Sequence, residues 1–379
     1  MKTKAMLTAL AIGLGLFSGL LQAGWMDEIK ANLPGKRGAP PHRIVDSGYW
    51  VRTYLPHRTI YWVDSDRVIF VGGTRAEWER FIKEGFGAYV PYLYIWDTRS
   101  NHVAIHSKID DSSIPCYSQG YIRYYVPGGT DDQRILKSGP FGQETETLVG
   151  RKHNTVEALY NQGMQYSELR CKAHTIADVR ISPTRLLFPL LDGHGYLNIN
   201  FNSFVPDERH EPVFWLKDRE SPPIELPIKK YETAWTAVSY AEWSDTYVLV
   251  TELAKNRVHN PGDWPRNVLR PVYLLKPGGD VQRVDLPYVH DITSNTRQIF
   301  PARTGMVFLS RSVAPNRPGK AGVYVWSGDT VHRVAAGLPE AASLSPDGCK
   351  LAVAIDPRDH GGPNRYYLKM IDFCVKGGK

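Results

Sequence analysis

Apolar and polar residues alternate along much of the chain, and short polar turns break the alternation at intervals. Residues 344–354 show the unit most plainly: Leu344, the turn Ser345-Pro346-Asp347-Gly348, then Leu351 and Val353 alternating with small residues. Period-two alternation on both sides of such a turn predicts a β-hairpin. The pattern returns at 61–71 and 240–250, and in weaker form at 117–125, 179–188 and 299–309, with turns centred near residues 65, 119, 183, 245, 303 and 347. Most copies are followed by a second hairpin: 93–97 turns back into 102–105, 213–217 into 224–226, 272–275 into 281–284, and 323–326 into 331–334. Each unit therefore reads as four antiparallel strands, a to d.

A repeat of this size predicts an all-β chain folded as a six-bladed β-propeller of four-stranded antiparallel blades. The last unit stops after its third strand, near Phe373, whereas residues 48–55 have strand character and no hairpin partner. If this N-terminal strand supplies the missing outer strand, it closes the ring and removes an open sheet edge. A short helical insertion is predicted in blade 1, where Thr74-Arg75-Ala76-Glu77 forms a capping box, Trp78, Phe81 and Ile82 share a face, and Gly85 ends the run. The Ser-Pro-Asp-Gly turn followed by Lys350-Leu351-Ala352 resembles the repeat of TolB-like propellers, and the Ile-Asp and Ile-Trp-Asp strand ends resemble WD-repeat blades. That resemblance implies a fold and assigns no catalytic residue, because propellers host enzymes, binders and scaffolds alike.

Residues 1–23 carry Lys2 and Lys4, an apolar run from Ala5 to Leu21, and a small residue at Ala23, the pattern of a secretory signal cleaved near Ala23. No cysteine follows the run, which argues against a lipid-anchored form. Residues 24–43 read as a short helix and a Pro/Gly-rich linker, and residues 44–379 as one propeller domain. Cleavage removes two lysines from a net charge of +7, leaving a small excess that points to solubility rather than nucleic-acid binding. No later segment is apolar for long enough to span a bilayer. Periplasmic or secreted localisation permits disulfides, and the chain has four cysteines with no metal-type spacing. Cys349 opens strand b of the last unit and Cys374 follows strand c, so antiparallel pairing makes them neighbours. A bridge there stabilises by roughly 3 kcal/mol. Cys116 and Cys171 then pair by elimination.

The a-b and c-d turns are short, whereas the b-c connections are long, and long loops gathered on one face are where binding residues usually reside. Three of these loops end in Pro265-Arg266-Asn267, Pro315-Asn316-Arg317 and Pro363-Asn364-Arg365. Their guanidinium forks suit an anionic or hydroxyl-rich ligand or a protein partner, and Trp264 offers a stacking surface. Asp192, Glu252 and Asp356 fall at or near the exit of strand b, where two carboxylates are able to act as acid and base in glycoside cleavage. His194, His210 and Asp359-His360 lack a recognised metal spacing, and no nucleophile elbow, phosphate loop or dinucleotide fingerprint is present. The sequence thus predicts an exported binding or interaction protein without metal or cofactor. A carbohydrate-active enzyme and a structural subunit of a cell-envelope complex stand as the alternatives.

Overall fold

The computed structural model describes residues 40–52, 60–84, 90–110, 113, 115–130, 133–150, 171, 185–191, 193–200, 212–228, 238–250, 270–286, 296–310, 321–327, 330–357 and 366–375. Residues 1–39 and most of the long loops lie outside them. The described residues form twenty-four β-strands, one α-helix and a 3₁₀ turn.

β1 (Arg43–Val51) comes first. The first unit follows as β2 (Ile60–Trp62), β3 (Arg67–Thr74), β4 (Tyr92–Asp97) and β5 (His102–Lys108), with α1 (Arg75–Glu84) between β3 and β4. The second is β6 (Cys116–Ser118), β7 (Tyr121–Pro127), β8 (Gln133–Pro140) and β9 (Thr145–Gly150). The third is β10 (Arg185–Pro189), β11 (Tyr196–Asn200), β12 (Phe214–Leu216) and β13 (Ile224–Glu225). The fourth is β14 (Val238–Ala241), β15 (Thr246–Val250), β16 (Arg270–Leu275) and β17 (Val281–Leu286). The fifth is β18 (Thr296–Ala302), β19 (Gly305–Ser310), β20 (Gly322–Ser327) and β21 (Thr330–Ala336). The sixth is β22 (Leu338–Leu344), β23 (Lys350–Asp356) and β24 (Tyr367–Asp372).

Strands pair antiparallel in chain order within each unit. β1 lies beside β24, with Arg43 opposite Asp372 and Asp46 opposite Lys369, and its end also pairs with β3 through Trp50 opposite Gly73. The first and sixth units thereby join as one eight-stranded sheet, while the other four are separate four-stranded sheets. The pairing segment starts at Arg43, earlier than the 48–55 expected from strand character.

Burial explains why the second strands read as continuous apolar runs. In β3, Val68 and Phe70 pack toward the sixth unit, whereas Ile69 and Val71 pack toward the second. In β19, Met306 and Phe308 join a core with the third and fourth units, and Val307 and Leu309 join one with the sixth. In β23, Leu351, Val353 and Ile355 face the fifth unit, and Ala352 and Ala354 face the first. A strand covered on both faces loses polar alternation, because successive side chains enter opposite cores. The outer strands β5 and β9 are mostly exposed or half-buried, and they keep their polar positions. First strands of successive units also touch: β14 with β18, β18 with β22, and β22 with β2.

The turns between first and second strands latch one unit to the next. Trp243 Nε1–H donates to Pro301 O at 2.6 Å, Arg303 Nε–H to Asp347 O at 2.6 Å, and Lys350 Nζ to Asp66 Oδ1 at 2.7 Å. The Ser345-Pro346-Asp347-Gly348 turn holds its shape through Lys350 N–H to Ser345 Oγ at 2.8 Å and Cys349 N–H to Asp347 Oδ1 at 3.0 Å. Both disulfides form: Cys349 with Cys374 and Cys116 with Cys171. The capping box closes as Glu77 N–H to Thr74 Oγ1 at 3.2 Å and Thr74 N–H to Glu77 Oε2 at 2.6 Å. Trp78 is buried against Trp50, ring centroids 4.7 Å apart, whereas Ile82 is 40% exposed. The side chain of Phe81 and Gly85 lie outside the described residues.

One expectation is corrected. The third unit's first hairpin is formed by β10 and β11, with Leu187 opposite Asn198 across a turn at 190–195, and residue 183 lies outside the described residues. Pro183 suggested a turn, but Gly193 and Gly195, at φ 82° and 87°, supply the left-handed backbone that this hairpin uses. Leu186, Leu187 and Phe188 belong to the first strand, not the second.

Candidate functional site

In four of the six units an aromatic residue near the end of the first strand, Tyr61, Tyr117, Tyr240 or Phe300, approaches a shared space. A cavity of about 220 Å³ is lined from every unit. The first contributes Tyr61 and Trp62, the second Tyr117, Ser118 and Gln119, and the third Leu191 and His194. The fourth adds Tyr240 and Glu242, the fifth Phe300, and the sixth Ser343, Leu344 and Pro346. Gln119, His194, Glu242 and Pro346 sit in first-to-second turns, so the cavity belongs to that end of the sheets.

The wall satisfies its own polar tips. Tyr61 O–H donates to Pro115 O at 3.1 Å, Trp62 Nε1–H to Ser343 O at 2.8 Å, and Tyr117 O–H to Val63 O at 3.3 Å. Tyr240 O–H donates to Asp245 Oδ1 at 2.8 Å. Behind it, Tyr247 is wholly buried; its hydroxyl oxygen accepts Leu191 N–H at 3.0 Å and lies 2.8 Å from His194 Nδ1. The rings of Tyr240 and Tyr247 stand 4.7 Å apart, and His194 meets each edge-on at 5.9 Å. Trp215 Nε1–H fixes the turn by donating to His194 O at 2.9 Å.

Burial pushes the Tyr240 and Tyr247 hydroxyls well above the ordinary phenol range, and the Asp245 carboxylate adds to both. Tyr117 is also raised, first by burial; the bond from Gly120 opposes, and the charges of Glu242 and Asp64 add to the rise. These phenols stay protonated at neutral pH and act as fixed donors to their partners. Lys276 reaches Ser244 O from beneath the turn, and burial lowers its ammonium pKa against the pull of Asp245. Among the described residues lining the cavity there is no lysine or arginine, and the Glu242 carboxylate has no hydrogen-bond or ion-pair partner.

Of the residues singled out from sequence, Asp356 is 3% exposed at the end of β23. Asp192, Glu252, Trp264, Arg266, Asn267, Asn316, Arg317, Asn364 and Arg365 lie outside the described residues, as do His210, Asp359 and His360. His194 is brought into the cavity wall beside tyrosines rather than among metal ligands. Among the described residues no group of three or more His, Cys, Asp and Glu side chains is disposed to hold a metal ion. The cavity aromatics had one signal in the sequence: Tyr61, Trp62, Tyr117, Tyr240 and Phe300 lie near the ends of the first strands of the first, second, fourth and fifth units.

No family model and no curated protein matches this chain. Among solved structures it is similar to TolB from Acinetobacter baumannii, at 11% identity and a TM-score of 0.34, over 74% of this chain and 59% of that one. It is similar to the β-propeller domain of the trilobed protease from Pyrococcus furiosus at 9% identity and a TM-score of 0.30, over 79% of each chain. An oligogalacturonate lyase from Vibrio parahaemolyticus matches at 9% identity and a TM-score of 0.42, over 89% of this chain and 98% of that one. The chain thus spans less than two thirds of the TolB structure. These likenesses are at the level of fold, and no activity follows from them.

Proposed function

We propose that this chain is an exported six-bladed β-propeller, closed by β1 on β24, that acts as a binding or interaction module. The observation that carries the reading is the convergence of all six units on one aromatic cavity whose own polar tips are already bonded. Such a wall is built to receive a group rather than to activate one, because its phenols and indole are fixed as donors to the protein. At about 220 Å³ the space is smaller than the roughly 300–1,000 Å³ of pockets for drug-sized ligands. It fits a small molecule or one projecting side chain better than an oligosaccharide. Two disulfides support an oxidising compartment, in line with the signal pattern of residues 1–23. Arg266, Arg317 and Arg365 fall in the sequence between second and third strands, and we assign them a separate contact surface for an anionic or hydroxylated partner.

The test uses mature protein beginning at Gly24, incubated with an envelope extract and compared with a Phe300→Ala variant of unchanged circular dichroism. Loss of capture in the variant is expected. Turnover on a glycan panel that disappears when Asp192, Glu252 and Asp356 are replaced by their amides would overturn the binding reading in favour of catalysis.

A further inference from the structure

The cavity's chemistry narrows what it receives, an inference that rests on reading it as a binding site. Four features act together. The lining is aromatic: Tyr61, Trp62, Tyr117, Tyr240 and Phe300, with His194 beside them. The phenol and indole hydrogens of the first four are already donated to protein acceptors, so these groups have no hydrogen left to offer a ligand. Among the described residues no lysine or arginine lines the space, although the chain as a whole carries a net charge of +7. Finally, one exposed carboxylate, Glu242, stands at the rim without a partner among the described residues.

An anion entering here meets the neutral donors of Ser118, Gln119 and Ser343 but also the like charge of Glu242. A neutral polyol meets the same donors and gains nothing from that charge. A cation meets an aromatic lining and the Glu242 carboxylate, and both are attractive. The charge of Glu242 reaches both Tyr117 and Tyr240, on two different units of the wall.

We propose that the cavity at the first-to-second turns binds an organic ammonium group, with the aromatic wall enclosing it and Glu242 as its counter-charge. The group is borne either by a small amine or by a lysine side chain presented by a protein. The volume of about 220 Å³ admits an alkylammonium head and a short stem.

The experiment is calorimetric titration of the mature protein with choline, n-butylammonium, a lysine-bearing pentapeptide, and 3,3-dimethylbutanol as the neutral isostere of choline. Choline or butylammonium is expected to bind at least tenfold more tightly than the neutral isostere, with affinity falling as salt rises. Glu242→Gln, on an exposed turn, is expected to weaken cation binding about tenfold with an unchanged melting temperature, and Glu242→Lys to abolish it. Tighter binding of the peptide than of butylammonium identifies a protein source, and the reverse a small molecule; both support the proposal. Equal affinity for choline and its neutral isostere, or indifference to Glu242→Gln, overturns it. If no probe binds but the Phe300-dependent capture persists, the ammonium assignment fails and the binding reading survives. Loss of both defeats the two together.

Discussion

Gly348 is placed where no other residue fits. Its φ is 72°, and a Cβ there would overlap the Trp243 ring from the fourth unit. That ring is pinned by its bond to Pro301 O, so it has little freedom to retreat. Gly348→Ala is expected to lower stability by about 2 kcal/mol or more, through backbone strain and displaced packing together, read from urea denaturation. Asp64 makes a pH-dependent contribution. Burial alone would raise its pKa, but backbone N–H groups of Asp66 and Arg67 and the Arg67 guanidinium outweigh burial and lower it. A lowered folded value means that the carboxylate's contribution is complete above the unfolded value of about 3.9 and is lost as pH falls through the folded value. The stability gap between wild type and Asp64→Asn is therefore expected near neutral pH and should close in strong acid. Solvent screening keeps it under about 1 kcal/mol.

At the scale of elements, the Cys349–Cys374 bridge joins the start of β23 to the residues after β24, closing a separation of 25 residues. Replacing both cysteines by serine is expected to cost roughly 3 kcal/mol, measured as a shift in denaturant midpoint. β1 covers the outer edge of β24, and deleting residues 40–51 would leave that edge open to other chains. Size-exclusion chromatography should then show oligomers or aggregate in place of the intact protein's profile. Much of this level was legible in the sequence, because hairpins with β-branched strands and polar turns announce themselves locally. The second strands were readable as buried because Val68-Ile69-Phe70-Val71 and Met306-Val307-Phe308-Leu309 leave no polar face. The third unit misled for an equally local reason: Ser182-Pro183 has the composition of a turn, whereas the hairpin uses the paired glycines at 193 and 195.

For the whole molecule, legibility was poorer, since a cavity is a property of how units are arranged rather than of any one of them. Tyr61 and Phe300 look like ordinary strand residues until the sheets bring them to one space. Loop length drew attention to the b-c connections, but length carries no information about which end of the strands converges. The order of the closing pair has its own consequence. Arg43 stands opposite Asp372 and Asp372 opposite Lys350, so the chain enters β1 and leaves β24 at the end of the sixth unit that carries the Ser345–Gly348 turn. Pro346 of that turn lines the cavity. A fluorophore attached through an engineered cysteine immediately before β1 or after Phe373 would stand on the cavity's side of the sixth unit and obstruct the mouth. Immobilisation through an engineered cysteine on an outer strand such as β9 would leave the entrance clear.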